Sequence, residues 1–180
     1  IEQVRRLVAE LNAELRNKGI DLVAYPGMEI LVTPEVMGLL SSGKVIPVND
    51  CKYVLMELPS SNVPAGFNNL IRSILDSDRR IIIVHPEKNV DIQRRPEFIR
   101  EILGAFQPGE VLVQITADSL TGDAGLRALS TAKFFVESRL AHIIATDSHS
   151  KTLRPPKIQE ALELAISLIG EEIAMKMVKR

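Results

Sequence analysis

The strongest structural signal in the chain is an uninterrupted β-branched run that ends abruptly. Ile81-Ile82-Ile83-Val84 offers no polar residue to solvent on either side, which is typical of a strand buried on both faces of a parallel sheet. His85 follows the run, and Pro86 ends it. Because parallel strands need long crossover connections, usually helices, this run predicts an α/β fold.

The rest of the chain alternates between strand-like and helix-like segments in the order that such a sheet requires. The predicted strands are residues 20–24, 28–32, 45–48, 53–58, 81–84, 111–115 and 141–146. Helical periodicity is present in residues 4–15, 35–40, 66–75, 96–106, 123–138 and 156–169, and again from residue 171. This order predicts a parallel α/β sheet or barrel, in which ligands bind at the carboxyl ends of the strands.

The composition is that of an ordinary globular domain, and it excludes several kinds of partner. With 22 Lys and Arg against 23 Asp and Glu, the net charge is -1, so no overall positive field attracts nucleic acid or an anionic membrane. The single cysteine, Cys51, cannot form an internal disulfide. The apolar runs are far shorter than the roughly 20 residues that span a bilayer. These features predict a cytoplasmic protein that does not insert into membranes.

Two of the three histidines follow predicted strands. His85 ends the β-branched run, and His149 is the last residue of Asp147-Ser148-His149, which follows strand 141–146. Residues two apart in extended backbone point to the same side, as two ligands of one metal must. Glu29 is an acid inside an apolar strand, where an unpaired carboxylate is costly. Carboxylates with neutral imidazoles suit Mn, Zn or Fe, and such a metal activates water at neutral pH.

Each of these residues also has an ordinary structural interpretation. A histidine at a strand end is commonly a hydrogen-bonded loop residue, and Glu29 by itself can pair with a helix Lys or Arg. His142 precedes its strand and is predicted to be structural. Cys51 has no motif around it and is not predicted to act as a nucleophile. The occurrence of several candidates at equivalent strand ends favours the metal site.

Two basic residues follow the predicted ligand positions closely. Lys88 comes three residues after His85, and Arg154 comes five residues after His149. A cation beside each ligand loop is what a phosphate substrate requires, although a surface Lys or Arg is normally only solvated. The neighbouring Arg94-Arg95 is read as a charged lead-in to a helix. The pattern therefore predicts a phosphate-binding role for Lys88 and Arg154.

A set of short motifs, taken in order, resembles a known family. The motifs are Gly27-Met28-Glu29-Ile30, His85-Pro86-Glu87-Lys88, Gln114-Ile115-Thr116-Ala117, Ser119-Leu120-Thr121-Gly122, Ala145-Thr146-Asp147-Ser148-His149 and Arg154-Pro155-Pro156. Together they resemble the bacterial PHP-type (polymerase and histidinol phosphatase) protein-tyrosine phosphatases, which regulate capsule and exopolysaccharide synthesis. The resemblance covers nearly the whole chain. It implies a distorted barrel related to the TIM barrel, and hydrolysis of phosphotyrosine on a partner tyrosine kinase by a metal cluster, commonly manganese, with zinc or iron as alternatives.

The resemblance also implies roles for individual residues. Glu29, His85, Asp147 and His149 match metal ligands of the family, and Arg154 matches an arginine that binds the phosphate. Lys88 stands where the family often has an arginine, so it keeps the charge but lacks the bidentate guanidinium.

The sequence departs from the family at its beginning. The family opens with a strand that ends in His-x-His, followed by an Asp-rich loop and a further ligand histidine, and none of these occurs here. We therefore expect residues 1–180 to form a single PHP-type domain that lacks its first strands. Two other functions stay open. One is hydrolysis of a small phosphate ester such as histidinol phosphate, with specificity in loop 59–64, and the other is an inactive fragment or binding module.

Overall fold

A computed structural model describes residues 1–152 and 154–178 of the chain. Five parallel strands form one sheet in the order β1-β2-β3-β4-β5. The strands are β1 (Glu29–Leu31), β2 (Tyr53–Glu57), β3 (Arg80–Val84), β4 (Val111–Thr116) and β5 (Ile143–Ala145). The helices are α1 (Glu2–Asn17), α2 (Val36–Ser41), α3 (Phe67–Asp76), α4 (Val90–Arg94), α5 (Phe98–Gly104), α6 (Ala117–Thr121), α7 (Leu126–Glu137), α8 (Ile158–Ile169) and α9 (Glu171–Lys176). The chain is therefore a mixed α/β protein, and within the described residues β1 and β5 are the edges of the sheet.

The two faces of the sheet are covered very unequally. Every second side chain along a strand points to the same face of the sheet. On one face these side chains pack with the helices into one large core that includes Ile30, Val54, Ile81, Ile83 and Val113. The side chains between them form a much smaller cluster, whose buried members are Ile82, Val84 and Leu112. We call the side of the sheet that bears this small cluster the thin face. Glu29 of β1 and Glu57 of β2 also lie on the thin face, because they pair with Leu55 and Val84, whose side chains belong to the small cluster.

The sheet is in register over the strands that matter for the site. Leu31 pairs with Glu57, and Glu57 pairs in turn with Val84. On the other side of β3, Val84 pairs with Gln114. Because all these strands are parallel, the residues that follow Glu57, Val84 and Thr116 leave the sheet at the same edge, its carboxyl edge.

The strand predicted at residues 20–24 is wrong. This segment follows α1 without strand pairing, and Leu22 and Val23 are exposed. The main-chain groups of Ala24 bind the side-chain amide of Asn12 instead, at 2.8 and 2.9 Å. Helix α1 itself has no buried residue, and an ion pair between Arg5 and Asp50 joins it to the loop before β2. Among the residues that the structure describes, the apolar run at 20–24 is therefore not paired with any strand.

The strand predicted at residues 45–48 is also wrong. Ile46 is buried, but Pro47 lacks the N–H that a ladder needs, and the backbone continues into a 3-10 turn at Val48–Asp50. The other five predicted strands are present, and so are the seven predicted helices. The sequence analysis did not predict α4 or α6, which are only five residues long. No helix among the described residues combines the length and apolarity needed to cross a membrane.

Candidate metal centre

Three ligand-type side chains meet on the thin face near the carboxyl edge. Glu57 is the last residue of β2, and His85 directly follows β3. Glu29 is the first residue of β1, in register with Leu55, and its side chain lies on the same face as that of Glu57. Glu29 therefore lies on the face of the sheet at the start of β1, whereas Glu57 lies at the end of β2 and His85 directly after β3.

The geometry of this group suits a metal ion. The Nε2 atom of His85 lies 3.7 Å from Oε2 of Glu29 and 3.7 Å from Oε1 of Glu57. One ligand atom from each residue lies within 4.8 Å of the other two. Burial lowers the pKa of His85, but the negative charges of the nearby Glu29 and Glu87 outweigh it, so the pKa is raised. The surroundings of the imidazole therefore stabilise positive charge at this point.

Glu57 is the member of this group that the sequence analysis missed. It lies inside the predicted strand at residues 53–58, where its neighbours Met56 and Leu58 are apolar. The available signal was the one that singled out Glu29, an acid in an apolar strand, combined with a position next to the strand end, as for His85. We name Glu29, Glu57 and His85 the acid–imidazole group.

The turn that carries His85 has unusual backbone and a buried anchor. His85 has φ 36°, in the left-handed region. Two residues later, Glu87 is fully buried, and its Oε1 accepts hydrogen bonds from the Thr116 N–H at 3.0 Å and the Thr116 hydroxyl at 3.1 Å. Burial raises the pKa of Glu87. The turn at 85–88 is thereby fixed to the end of β4.

The predicted phosphate-binding cations lie together around Asp147. Nζ of Lys88 is 3.1 Å from Oδ2 of Asp147 and 3.2 Å from Oδ2 of Asp118, and Arg154 donates to the same Oδ2 of Asp147. The Asp147 side chain is only 10% exposed and its residue has φ 49°. Burial raises the pKa of Asp118, but the ammonium group of Lys88, 3.2 Å away, and the charge of Arg154 outweigh it, so the pKa is lowered. Asp118 was not predicted as part of the site.

His149 lies beside Asp147, with its Nδ1 atom 3.6 Å from Oδ1 of that carboxylate. Its side chain is 62% exposed, and its Nδ1 atom is 2.8 Å from the main-chain oxygen of Asp147. Among the described residues, the three-ligand group contains Glu29 and His85 but neither Asp147 nor His149. The main chain of Arg154 closes this loop by accepting from the Ser148 hydroxyl at 2.8 Å. Leu153, in the sequence run before Arg154, is outside the described residues.

The remaining candidates occupy other places. His142 accepts a hydrogen bond from the Val113 N–H at 3.1 Å, in a structural position before β5. Cys51 is exposed before the start of β2, at the opposite edge of the sheet from His85. Arg94 ends α4, and Arg95 stacks on the Phe98 ring and pairs with Glu101.

The fold and the site define a class: an α/β protein with a carboxylate–imidazole group suited to a metal, and two cations next to it that suit an anion. The chain belongs to the capsular polysaccharide synthesis CpsB/CapC family, which matches it over residues 1–180.

Relatives and a solved structure agree with this assignment. The chain is 34% identical over 157 residues to the putative tyrosine-protein phosphatase CapC of Staphylococcus aureus, covering 86% of this chain and 59% of that protein. It is 31% identical over 172 residues to the tyrosine-protein phosphatase YwqE of Bacillus subtilis (strain 168), covering 94% and 65%. The chain thus spans about three fifths of the length of these curated relatives.

A crystal structure from work on YwqE of Bacillus subtilis and CpsB of Streptococcus pneumoniae, metal-dependent tyrosine phosphatases, matches the fold. The TM-score is 0.87 at 30% sequence identity, over 97% of this chain and 69% of that one.

Proposed function

We propose that the protein hydrolyses phosphotyrosine on a partner protein, with a metal bound by Glu29, Glu57 and His85. The observation that carries the proposal is the acid–imidazole group at the same edge of the sheet as Lys88 and Arg154. The relatives named tyrosine-protein phosphatase support the same reaction. Membership of a capsule synthesis family supports a bacterial tyrosine kinase as the phosphorylated partner.

The donor set fits a transition metal. Two carboxylates and an imidazole are ligands that Mn, Zn and Fe accept, and the raised pKa of His85 marks a position where positive charge is favoured. We propose manganese, with zinc or iron as alternatives. When bound, the metal supplies Lewis-acid polarisation and activates water. Asp147 and His149 are proposed as ligands of further metal positions, on the basis of the family resemblance.

Lys88 and Arg154 are proposed to bind the phosphate. Both cations contact the Asp147 carboxylate. An entering phosphate dianion would replace this carboxylate as their partner. Arg154 offers a planar fork that can hold two phosphate oxygens, whereas Lys88 acts as a point charge. Cys51 lies at the opposite edge of the sheet and takes no part, so no covalent phosphoenzyme is formed on it.

We further propose that residues 1–180 belong to a single PHP-type, TIM-like barrel domain. Strands that are all parallel and adjacent in sequence order are what such a barrel requires. The thin face would then be its interior, and the helix-covered face its outside. The single cysteine supports a cytoplasmic location, since disulfides do not contribute to this fold.

Turnover with three substrates tests the proposed function. The protein with MnCl₂ is expected to hydrolyse a phosphotyrosine peptide, and both EDTA and His85→Ala should abolish this activity. Glu137→Gln, at the exposed end of α7 far from the carboxyl edge, serves as the matched control and should stay active. Hydrolysis of histidinol phosphate alone would replace the proposal by a small-molecule phosphatase. Hydrolysis of neither substrate, nor of p-nitrophenyl phosphate, would overturn it in favour of a binding module.

A further inference from the structure

A cavity of about 610 Å³ lies between the loop that follows β2 and the segment that follows β3, and its lining includes no residue of the candidate metal or phosphate site. Its walls come from the loop before α3, the first turn of α3, α4 and the start of α5. We name it the side pocket. Its volume falls within the range of about 300–1,000 Å³ that is usual for ligand sites in proteins.

The lining of the side pocket is mainly apolar and formally neutral. Val63, Pro64 and Phe98 contribute apolar surface, and the two charged residues, Asp91 and Arg95, have opposite signs. The Arg95 guanidinium lies 4.9 Å from the centre of the Phe98 ring and is paired with Glu101 at 2.7 Å. Because its charges already have partners or cancel, the pocket favours an uncharged, apolar group over an anion.

The pocket is joined rigidly to the turn that carries His85 and Lys88. Asn89 is 2% exposed, and its side chain donates to the main-chain oxygens of Pro59 and Asn62 at 2.6 and 2.9 Å. The Val90 N–H donates to the Ser60 oxygen at 2.9 Å, and the Val63 N–H donates to Asp91. These bonds hold the loop after β2 against the segment after β3. A pocket held in place in this way loses little conformational entropy when it binds a ligand.

The distance from the phosphate-binding cations suits a polypeptide. Asp91, in the pocket wall, is three residues after Lys88, so their Cα atoms are no more than about 11 Å apart. An extended peptide advances about 3.3 Å per residue. The gap between the Cα atoms of Lys88 and Asp91 therefore corresponds to about four residues of extended peptide.

We propose that the side pocket binds an apolar side chain of the substrate polypeptide, within about four residues of the phosphotyrosine. This inference rests on the proposed function and adds to it a determinant of substrate sequence. It also explains how the loop at 59–64 contributes to substrate specificity, because the contacts of Asn89 and Asp91 hold this loop in place as part of the pocket wall.

The test combines a change in the pocket with a change in the peptide. Ala65 is exposed in the pocket lining, so Ala65→Trp fills the space without removing a core residue. Phosphotyrosine peptides carrying Leu or Gly at each flanking position are compared by KM. The Leu peptide should have a KM about tenfold lower at one of these positions, as burial of a Leu side chain predicts. Ala65→Trp should remove this preference while the KM for p-nitrophenyl phosphate stays within about twofold.

Controls separate the possible failures. Ala105→Trp makes the same change at an exposed site after α5 and should keep the Leu preference, and circular dichroism checks that both variants fold. An equal Leu preference in the wild type and Ala65→Trp, or none in the wild type, overturns the side pocket. Should no substrate be hydrolysed, the proposed function fails by itself. Fluorescence anisotropy with the same peptides, labelled, then tests peptide binding in the side pocket. Tighter binding of the Leu peptide that is lost in Ala65→Trp supports the proposal, and equal binding of the Leu and Gly peptides by the wild type overturns it.

Discussion

The Nε2 atom of His85 lies 3.7 Å from Oε1 of Glu57, although 27 residues separate them in the chain. The contact exists because β2 and β3 are parallel neighbours in which Glu57 is paired with Val84, the residue before His85. A side chain at the end of one strand thus meets the side chain that follows the next strand. Parallel pairing, rather than local sequence, brings this acid and this imidazole together.

Glu57→Gln is expected to weaken metal binding. The substitution keeps the size of the side chain but replaces an anionic ligand oxygen with a neutral amide, so the dissociation constant for Mn²⁺ should rise about tenfold or more. Isothermal titration calorimetry measures this change. Glu137→Gln alters charge equally at a distant exposed position and should bind metal as the wild type does. Unchanged affinity in Glu57→Gln would remove Glu57 from the metal centre.

Arg154→Lys is expected to lower phosphotyrosine turnover by about ten- to a hundredfold. Lysine keeps the charge beside Asp147 but cannot hold two phosphate oxygens at once. Steady-state kinetics measures the loss, and metal content measured on the same sample should be normal. Arg16→Lys, in the exposed helix α1, is the matched control. Full activity in Arg154→Lys would leave phosphate binding to Lys88.

Cys51→Ser is expected to leave turnover unchanged, because the cysteine is exposed at the edge of the sheet opposite His85. Alkylation of the wild-type protein with iodoacetamide should be equally harmless. Both measurements use the phosphotyrosine peptide as substrate. Inactivation by either treatment would contradict a metal-dependent route and indicate a thiol nucleophile.

Asp118→Asn is expected to destabilise the protein more at neutral pH than in acid. The folded-state pKa of Asp118 lies below its ordinary value of 3.8, so its charge stabilises the fold above that pH. This contribution is lost as the pH falls through the lowered pKa. Urea unfolding should show a loss of about 1 kcal/mol at pH 7 that becomes smaller as the pH is lowered below 3.8. Asp21→Asn, an exposed control, should show neither effect, and an equal loss at neutral and acid pH would mean that packing, not charge, is involved.

The parts of the fold that were predictable are those where the sequence pattern and the packing agree. Ile81 and Ile83 face the large core and Ile82 and Val84 face the small one, so the continuous apolar run reports a strand that is buried on both faces. The strand expected at residues 20–24 failed because β propensity cannot supply a pairing partner. Asn12 binds that backbone from α1, and such a contact across the chain leaves no local pattern.

The candidate site was predictable to a similar extent. His85 and Glu29 were recognisable as polar residues in apolar surroundings, and the structure places them together. Glu57 was hidden because a single acid at the end of a half-exposed strand is common. Asp118 was hidden for a different reason. Its partner Lys88 is 30 residues away, so the pair depends on the helix α6 that follows β4.

The left-handed backbone at His85 and Asp147 has a consequence for how this chain can evolve. For a residue other than glycine, this backbone conformation is less favourable by about 1 kcal/mol or more. Mutation to glycine would relieve this strain at either position, but it would also delete a side chain on which the site depends. Selection for thermal resistance alone would therefore favour glycine at both positions, so the persistence of His85 and Asp147 in a lineage is a marker of retained activity rather than of robust folding.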